Sequence, residues 1–127
     1  MALHGSGYEL VYASPGGGAP AFDGVQEAFF GSSSEYTAAK RFHHDPQHGP
    51  VESNVRSLSS ITQAEVDGFD AIFIPGGNAV LDHLWLDKDL GRILRQLHAA
   101  HKVTAAVCNG PSALLAAKEQ GDGAWPY

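Results

Sequence analysis

The sequence predicts an α/β fold built on a mainly parallel sheet, and three observations carry that reading. Two short, near-continuous apolar runs, Phe69 to Ile74 and Val103 to Val107, read as strands buried on both faces. Between them Leu90, Ile93, Leu94 and Leu97 fall at i, i+3, i+4 and i+7, the one-sided stripe of a helix. Each strand then runs into a Gly/Pro turn, Pro75-Gly76-Gly77 or Cys108-Asn109-Gly110-Pro111, that leads to a further helical segment. Strand, helix, strand, turn, helix is the order of an α/β sheet.

The remaining elements follow in chain order. Tyr8 to Ala13 is rich in β-branched and aromatic residues and ends at Ser14-Pro15-Gly16-Gly17-Gly18, a strand and its turn. Ala19 to Phe30 mixes apolar residues with the breakers Pro20 and Gly24 and gives no clear element. Ser32-Ser33-Ser34 before Glu35 starts a short helix over Tyr36 to Phe42, which His43-His44-Asp45-Pro46 ends. Val51 to Leu58 reads as extended. Thr62 with Glu65 three residues on forms a capping box over a one- or two-turn helix. Asp87 and Asp89 favour the start of the striped helix, and His101-Lys102 closes it. The last helix covers Ser112 to Lys118 and stops at Gly121-Asp122-Gly123. Residues 1–127 show no repeat and no boundary, so one domain is expected.

Composition narrows the function. The 127 residues are 43% hydrophobic and 17% charged, the balance of a soluble globular domain. Fourteen acidic residues against eight basic ones give a formal charge of −6. Phosphate binding needs a basic face, and no cluster exceeds the pair Lys40-Arg41, so no nucleic-acid or membrane partner is expected. No apolar run approaches the roughly 20 residues of a membrane span. The N-terminus lacks the basic and apolar regions of a signal peptide. One cysteine cannot form an intramolecular disulfide. A reducing, cytoplasmic setting is the expectation.

Cys108 lies where a strand end meets a helix start. Ligands of open α/β sheets bind beyond the carboxyl ends of strands. Gly110 is expected to let the chain bend and bring N–H groups near a ligand. Pro111 suits a first helical turn. The positive field at a helix N-terminus favours the thiolate, which is the nucleophile. The plain alternative is a small buried hydrophobe, but Gly110-Pro111 so soon after the cysteine is unusual for packing alone. Pro75-Gly76-Gly77-Asn78 follows the other strand, and parallel pairing would set it at the same edge. Its N–H groups are suited to a developing oxyanion, although Pro-Gly-Gly alone is an ordinary turn.

Other features carry less. His43, His44 and His48 with Asp45 offer metal-ligand chemistry, but Pro46 and Gly49 mark a solvated loop, and no metal or other cofactor is expected. His83, His98 and His101 read as surface residues, His83 being near enough to the glycine loop to reach the site. Gly16-Gly17-Gly18 lacks the Gly-Lys-Ser/Thr ending of a nucleotide loop. Trp85 reads as a packing anchor, and Asp23 as a residue near the site mouth.

Asp70-Ala71-Ile72-Phe73-Ile74-Pro75-Gly76-Gly77 and, about thirty residues on, Ala105-Ala106-Val107-Cys108-Asn109-Gly110-Pro111 resemble the DJ-1/PfpI superfamily. Gly7 to Pro15 is similar to its second-strand region. The likeness runs from about residue 7 to residue 118 and is strongest to the glyoxalase III, or heat-shock-protein-31-like, branch. It implies a flavodoxin-like three-layer sandwich and cysteine-dependent conversion of small 2-oxoaldehydes, methylglyoxal to lactate, without glutathione or metal. Chaperones, deglycases and peptidases are also described in the family, and class I glutamine amidotransferase domains are related to it. By position Cys108 would be the nucleophile, with Asn109, Gly76, Gly77, Asn78 and Gly110 around the substrate.

Two departures qualify the resemblance. The glyoxalase III branch has His directly after the cysteine, where this chain has Asn109. An amide orients or donates but takes no proton near neutral pH. The family also begins with a strand and helix, and a glutamate there assists the cysteine. Only six residues precede Gly7 here, and neither Glu9 nor Glu27 matches that position. An incomplete sandwich that is poorly stable or self-associates, as a homodimer for example, is therefore expected. Two readings follow: a glyoxalase III-like lyase, or a catalytically impaired stress-response, redox-sensing or chaperone-like protein. Amidotransferase chemistry needs a histidine after the cysteine, and none follows Cys108.

Overall fold

A computed structural model describes residues 2–21, 28–29, 31–118 and 125–127. They form two compact units, Met1–Ser57 and Leu58–Tyr127.

The first unit holds helix α1 (Ala2–Gly5), strand β1 (Tyr12–Ser14), helix α2 (Ser34–His43) and strand β2 (Val55–Ser57). β1 and β2 pair in parallel, Tyr12 opposite Val55 and Ser14 opposite Ser57. The expected strand over Tyr8 to Ala13 is thus shifted and shortened, because β2 supplies only three partners. The extended run over Val51 to Leu58 likewise narrows to β2, and Leu58–Ser60 turns into one 3-10 turn. Helix α2 starts as expected: the Ser33 hydroxyl accepts from the Tyr36 N–H at 3.0 Å. Residues 22–27 and 30, Asp23 and Glu27 among them, lie outside the described residues.

The loop after α2 is tied by its own side chains. One Asp45 oxygen accepts from the N–H groups of Gln47 (2.8 Å) and His48 (3.1 Å). The other lies 3.4 Å from His48 Nδ1. The Gln47 bond foremost, with His48 adding to it, holds the Asp45 carboxyl below the usual range against a partial desolvation. The Asn54 amide donates to the carbonyls of Gly49 (2.9 Å) and Pro46 (3.2 Å), and the Tyr12 hydroxyl donates to that of His48 (2.9 Å).

The second unit carries the core. Helices α3 (Gln63–Gly68), α4 (Ala79–Asp82) and α5 (Lys88–Ala99) accompany strands β3 (Ala71–Ile74) and β4 (Val103–Ala106), and a 3-10 helix spans Gly110–Ala117. β3 and β4 pair in parallel, Ala71 opposite Val103 and Ile74 opposite Ala106, as expected. The apolar stripe of α5 does what its period predicts: Leu90, Ile93, Leu94 and Leu97 are buried with Leu58, Ile61, Val66, Ile74 and Val80. Both caps also hold. Thr62 and Glu65 form the full capping box, and Asp87 accepts from the Leu90 N–H at 2.8 Å.

Helix α5 ends in a Schellman motif. The N–H of His101 donates to His98 O and that of Lys102 to Leu97 O, both at 2.9 Å. His101 stands in the left-handed region at φ 56°. A side chain there costs about 1 kcal/mol that glycine avoids. His101→Gly is therefore expected to raise the urea midpoint of unfolding by an equivalent amount. A midpoint at or below that of the wild type would refute this.

Three expectations are corrected. The strands are not buried on both faces. Ile72, Ile74 and Ala106 face the core, whereas Phe73 and Val103 are 51% and 64% exposed. The apolar runs match a two-sided environment, but α5 and the 3-10 helix cover one side only. The helical segment expected after Pro75-Gly76-Gly77 is not one helix: α4 ends at Asp82 with His83 as its cap, and Leu84–Leu86 forms a separate 3-10 turn. The last helix is 3-10 rather than α and begins at Gly110, with Pro111 in its first turn. Its expected stop, Gly121-Asp122-Gly123, lies outside the described residues. Among the described residues no helix is long and apolar enough to cross a membrane.

Candidate functional site

The site is assembled by two loops at the carboxyl ends of β3 and β4. Val107 carries the pairing one residue beyond β4, its N–H donating to Ile74 O at 3.2 Å. Cys108 then turns the chain at φ 55° and is exposed. For a side chain other than glycine this left-handed conformation is strained by about 1–2 kcal/mol. The Gly110 N–H closes the turn on Val107 O at 2.8 Å.

The bend therefore belongs to Cys108 and not, as the sequence reading had it, to Gly110. Gly110 is buried, and a β-carbon on it would lie 2.6 Å from Ile74 O. Its glycine identity allows close packing between the loops. Asn109 opens the 3-10 helix without a side-chain cap. Its amide reaches across to Gly77 O at 3.4 Å, and its carbonyl accepts from the Ser112 hydroxyl at 2.7 Å.

The facing loop is fitted to the thiol. A β-carbon on Gly76 would lie 2.5 Å from Cys108 Cβ and 3.0 Å from Val107 O, so only glycine fits there. Gly77 turns at φ 111° beside open space. Asn78 is exposed, and its carbonyl accepts from the Leu81 N–H at 2.9 Å, starting α4. The structure thus brings Cys108, Asn109, Gly76, Gly77 and Gly110 together and leaves Asn78 at the outer end of the loop. This arrangement offers a solvent-facing thiol flanked by bare backbone and one amide.

The other candidates have settings of their own. Among the described residues no group of three His, Cys, Asp or Glu is placed to hold a metal ion. His43 bonds to Pro20 O, His44 to Lys40 O, and His48 to Asp45. His83 is exposed at the end of α4. The His98 ring packs edge-on against Tyr127 with centroids 4.9 Å apart. Trp85 is part-exposed in its 3-10 turn rather than buried. At Gly16 to Gly18 the Glu52 carboxylate takes the place a phosphate would need, accepting from the Ala19 N–H at 2.8 Å.

Among the described residues of the first unit, two cavities are bordered by side chains other than Cys108. One of about 310 Å³ is bordered by Tyr36, Lys40, Arg41 and His44. The other, about 250 Å³, is bordered by Tyr8, Glu9, Tyr12 and His48. Sequence reasoning missed the second, although Tyr8, Leu10 and Tyr12 recur at a spacing of two, the period of one strand face.

Comparison with known proteins agrees with this architecture. No curated protein matches the chain. One crystal structure, of a protein known by a target designation alone, superposes with a TM-score of 0.68 at 26% identity. The match covers 98% of this chain and 50% of that one, so this chain spans about half the length of the solved relative. With its short parallel sheets the fold is a partial flavodoxin-like α/β arrangement. The sequence model of the DJ-1/PfpI family matches residues 35–123, which include both site loops. The chain belongs to the DJ-1/PfpI family.

Proposed function

We propose that this protein acts through Cys108 on small 2-oxoaldehydes, methylglyoxal above all, as glyoxalase III-type proteins do, with capture at the thiol faster than turnover. The observation that supports this most is the elbow itself: an exposed thiol on a strained left-handed residue, set against a glycine whose β-carbon it excludes. In capture the thiolate sulfur bonds to the aldehyde carbon. The carbonyl π pair moves to oxygen, which takes a proton from water, giving a hemithioacetal. Turnover to lactate then requires the hydrogen on that carbon to be removed as a proton and returned to the adjacent carbon. A thioester results, and water hydrolyses it. Asn109 stands where the branch has histidine and cannot take that proton. The step is correspondingly slow.

Methylglyoxal protection of the thiol against alkylation, together with lactate formed without glutathione, tests the reading. Wild type should be protected at once and form lactate slowly. Cys108→Ser, which has no thiol to alkylate, should form no lactate. Equal lactate formation by the two proteins, or a wild-type thiol alkylated equally fast with and without methylglyoxal, would overturn the proposal.

A second reading is favoured by the exposure of the one cysteine: an oxidant-sensing role, in the cytoplasm. The thiolate would attack a peroxide oxygen, the O–O bond would break with loss of hydroxide, and a sulfenic acid would remain. Intact mass after stoichiometric peroxide decides it, since a thiol that stays reduced excludes sensing.

A further inference from the structure

We propose that the cavity bordered by Tyr8, Glu9, Leu10, Tyr12 and His48 binds a small alkylated ammonium cation. At about 250 Å³ it holds a single head group of that kind. Its wall combines two tyrosines, one carboxylate and one aliphatic side chain with Gln47, His48 and Asn54, and neither lysine nor arginine contributes to it. Cations are attracted to aromatic faces by the ring quadrupole, and most strongly where water is partly excluded.

The field in this cavity has the matching sign. Glu9 is exposed and, among the described residues, forms no ion pair. The Asp45 carboxylate stands behind His48 at 3.4 Å. Burial first, and then the charge of Asp45, push the Tyr12 hydroxyl up from its ordinary value. The larger cavity of the same unit, with Lys40 and Arg41 in its wall, has the opposite sign.

Hydrogen bonding within the loop withdraws two of the wall's polar groups from a neutral polyol. The Tyr12 hydroxyl is committed to His48 O. The Asn54 amide, also at the wall, is committed to Pro46 O and Gly49 O. What remains toward a ligand is the tyrosine rings, the Tyr8 hydroxyl, the Gln47 amide and the Glu9 carboxylate, and the charge of that carboxylate favours an ammonium group over a sugar hydroxyl.

Choline and its uncharged carbon isostere, dimethylbutanol, titrated into the isotope-labelled full chain, test this by nuclear magnetic resonance. Choline should shift the Tyr8 and Tyr12 ring signals, and the alcohol should bind at least about tenfold more weakly. Glu9→Gln, at an exposed position outside the thiol site, should weaken choline about tenfold and leave methylglyoxal capture unchanged. Phosphatidylcholine vesicles should not retain the chain. Equal binding of the alcohol, undiminished choline binding in Glu9→Gln, unshifted tyrosine signals, or retention on vesicles without binding of free choline would each overturn the proposal.

Discussion

Gly91→Ala is expected to destabilise the second unit by about 3 kcal/mol, although alanine is the better helix former by about 1 kcal/mol. Gly91 lies buried within α5, and a β-carbon on it would collide with the carbonyl oxygen of Ala116 and come 2.9 Å from its carbon. A flexible side chain would swing aside, but a backbone carbonyl has no such freedom. Arg95 holds the same segment, its guanidinium donating to Ala117 O at 3.3 Å. Ala113 and Ala117, on the same 3-10 helix, are fully buried in the core. The clash therefore outweighs propensity. Small domains hold only about 5 kcal/mol in all, so a loss of this size should leave an unfolded fraction visible in a urea titration. A higher midpoint for the variant would mean that the two helices separate without cost.

The same segment shows why some of the fold was legible and some was not. Thr62 with Glu65, Asp87 with Leu90, and the α5 stripe were readable because each bond or face lies within four residues along the chain. The pairing of β3 with β4 was readable because two apolar runs flanking a helix leave few other arrangements. Phe73 and Val103 misled, because an apolar side chain reports the environment it suits and not whether a layer covers it. Gly91 gave no signal at all. Its reason is Ala116, twenty-five residues away in sequence and in a helix whose 3-10 form the pattern did not disclose. The cavity at Tyr8 and Tyr12 was hidden likewise, because His48 and Asn54 reach it only through the folded loop.

At the candidate site the residue types were legible and their division of labour was not. Cys-Asn-Gly-Pro marks a sharp turn, and glycine is the usual residue for a positive φ. The chain instead places the cysteine there and spends its glycines on clearance: Gly110 against Ile74 O and Gly76 against Cys108. The left-handed conformation turns the thiol outward from the strand end, and the glycines let the neighbouring loop close beneath it. The exposed thiol and the strain thus reside on one residue, held in place by packing from two others.

That division makes adjacent glycines separable by experiment. Gly76→Ala would set a methyl group 2.5 Å from Cys108 Cβ, and neither atom is the free end of a flexible side chain. The loops must part, at an expected cost of about 2–3 kcal/mol. Methylglyoxal protection of the thiol should fall about tenfold, since the backbone that would face the new oxygen is displaced. Alkylation by iodoacetamide, which needs no such support, should be as fast as in the wild type or faster. Gly77→Ala differs in kind. Nothing lies within 4 Å of its would-be β-carbon, and its penalty of about 1–2 kcal/mol comes from φ 111° alone. It should lower stability while leaving the ratio of the two thiol reactions near that of the wild type. If both variants shift that ratio alike, backbone strain and not the contact between Gly76 and Cys108 governs the thiol. If neither shifts it, the glycine loop plays no part in the chemistry of Cys108.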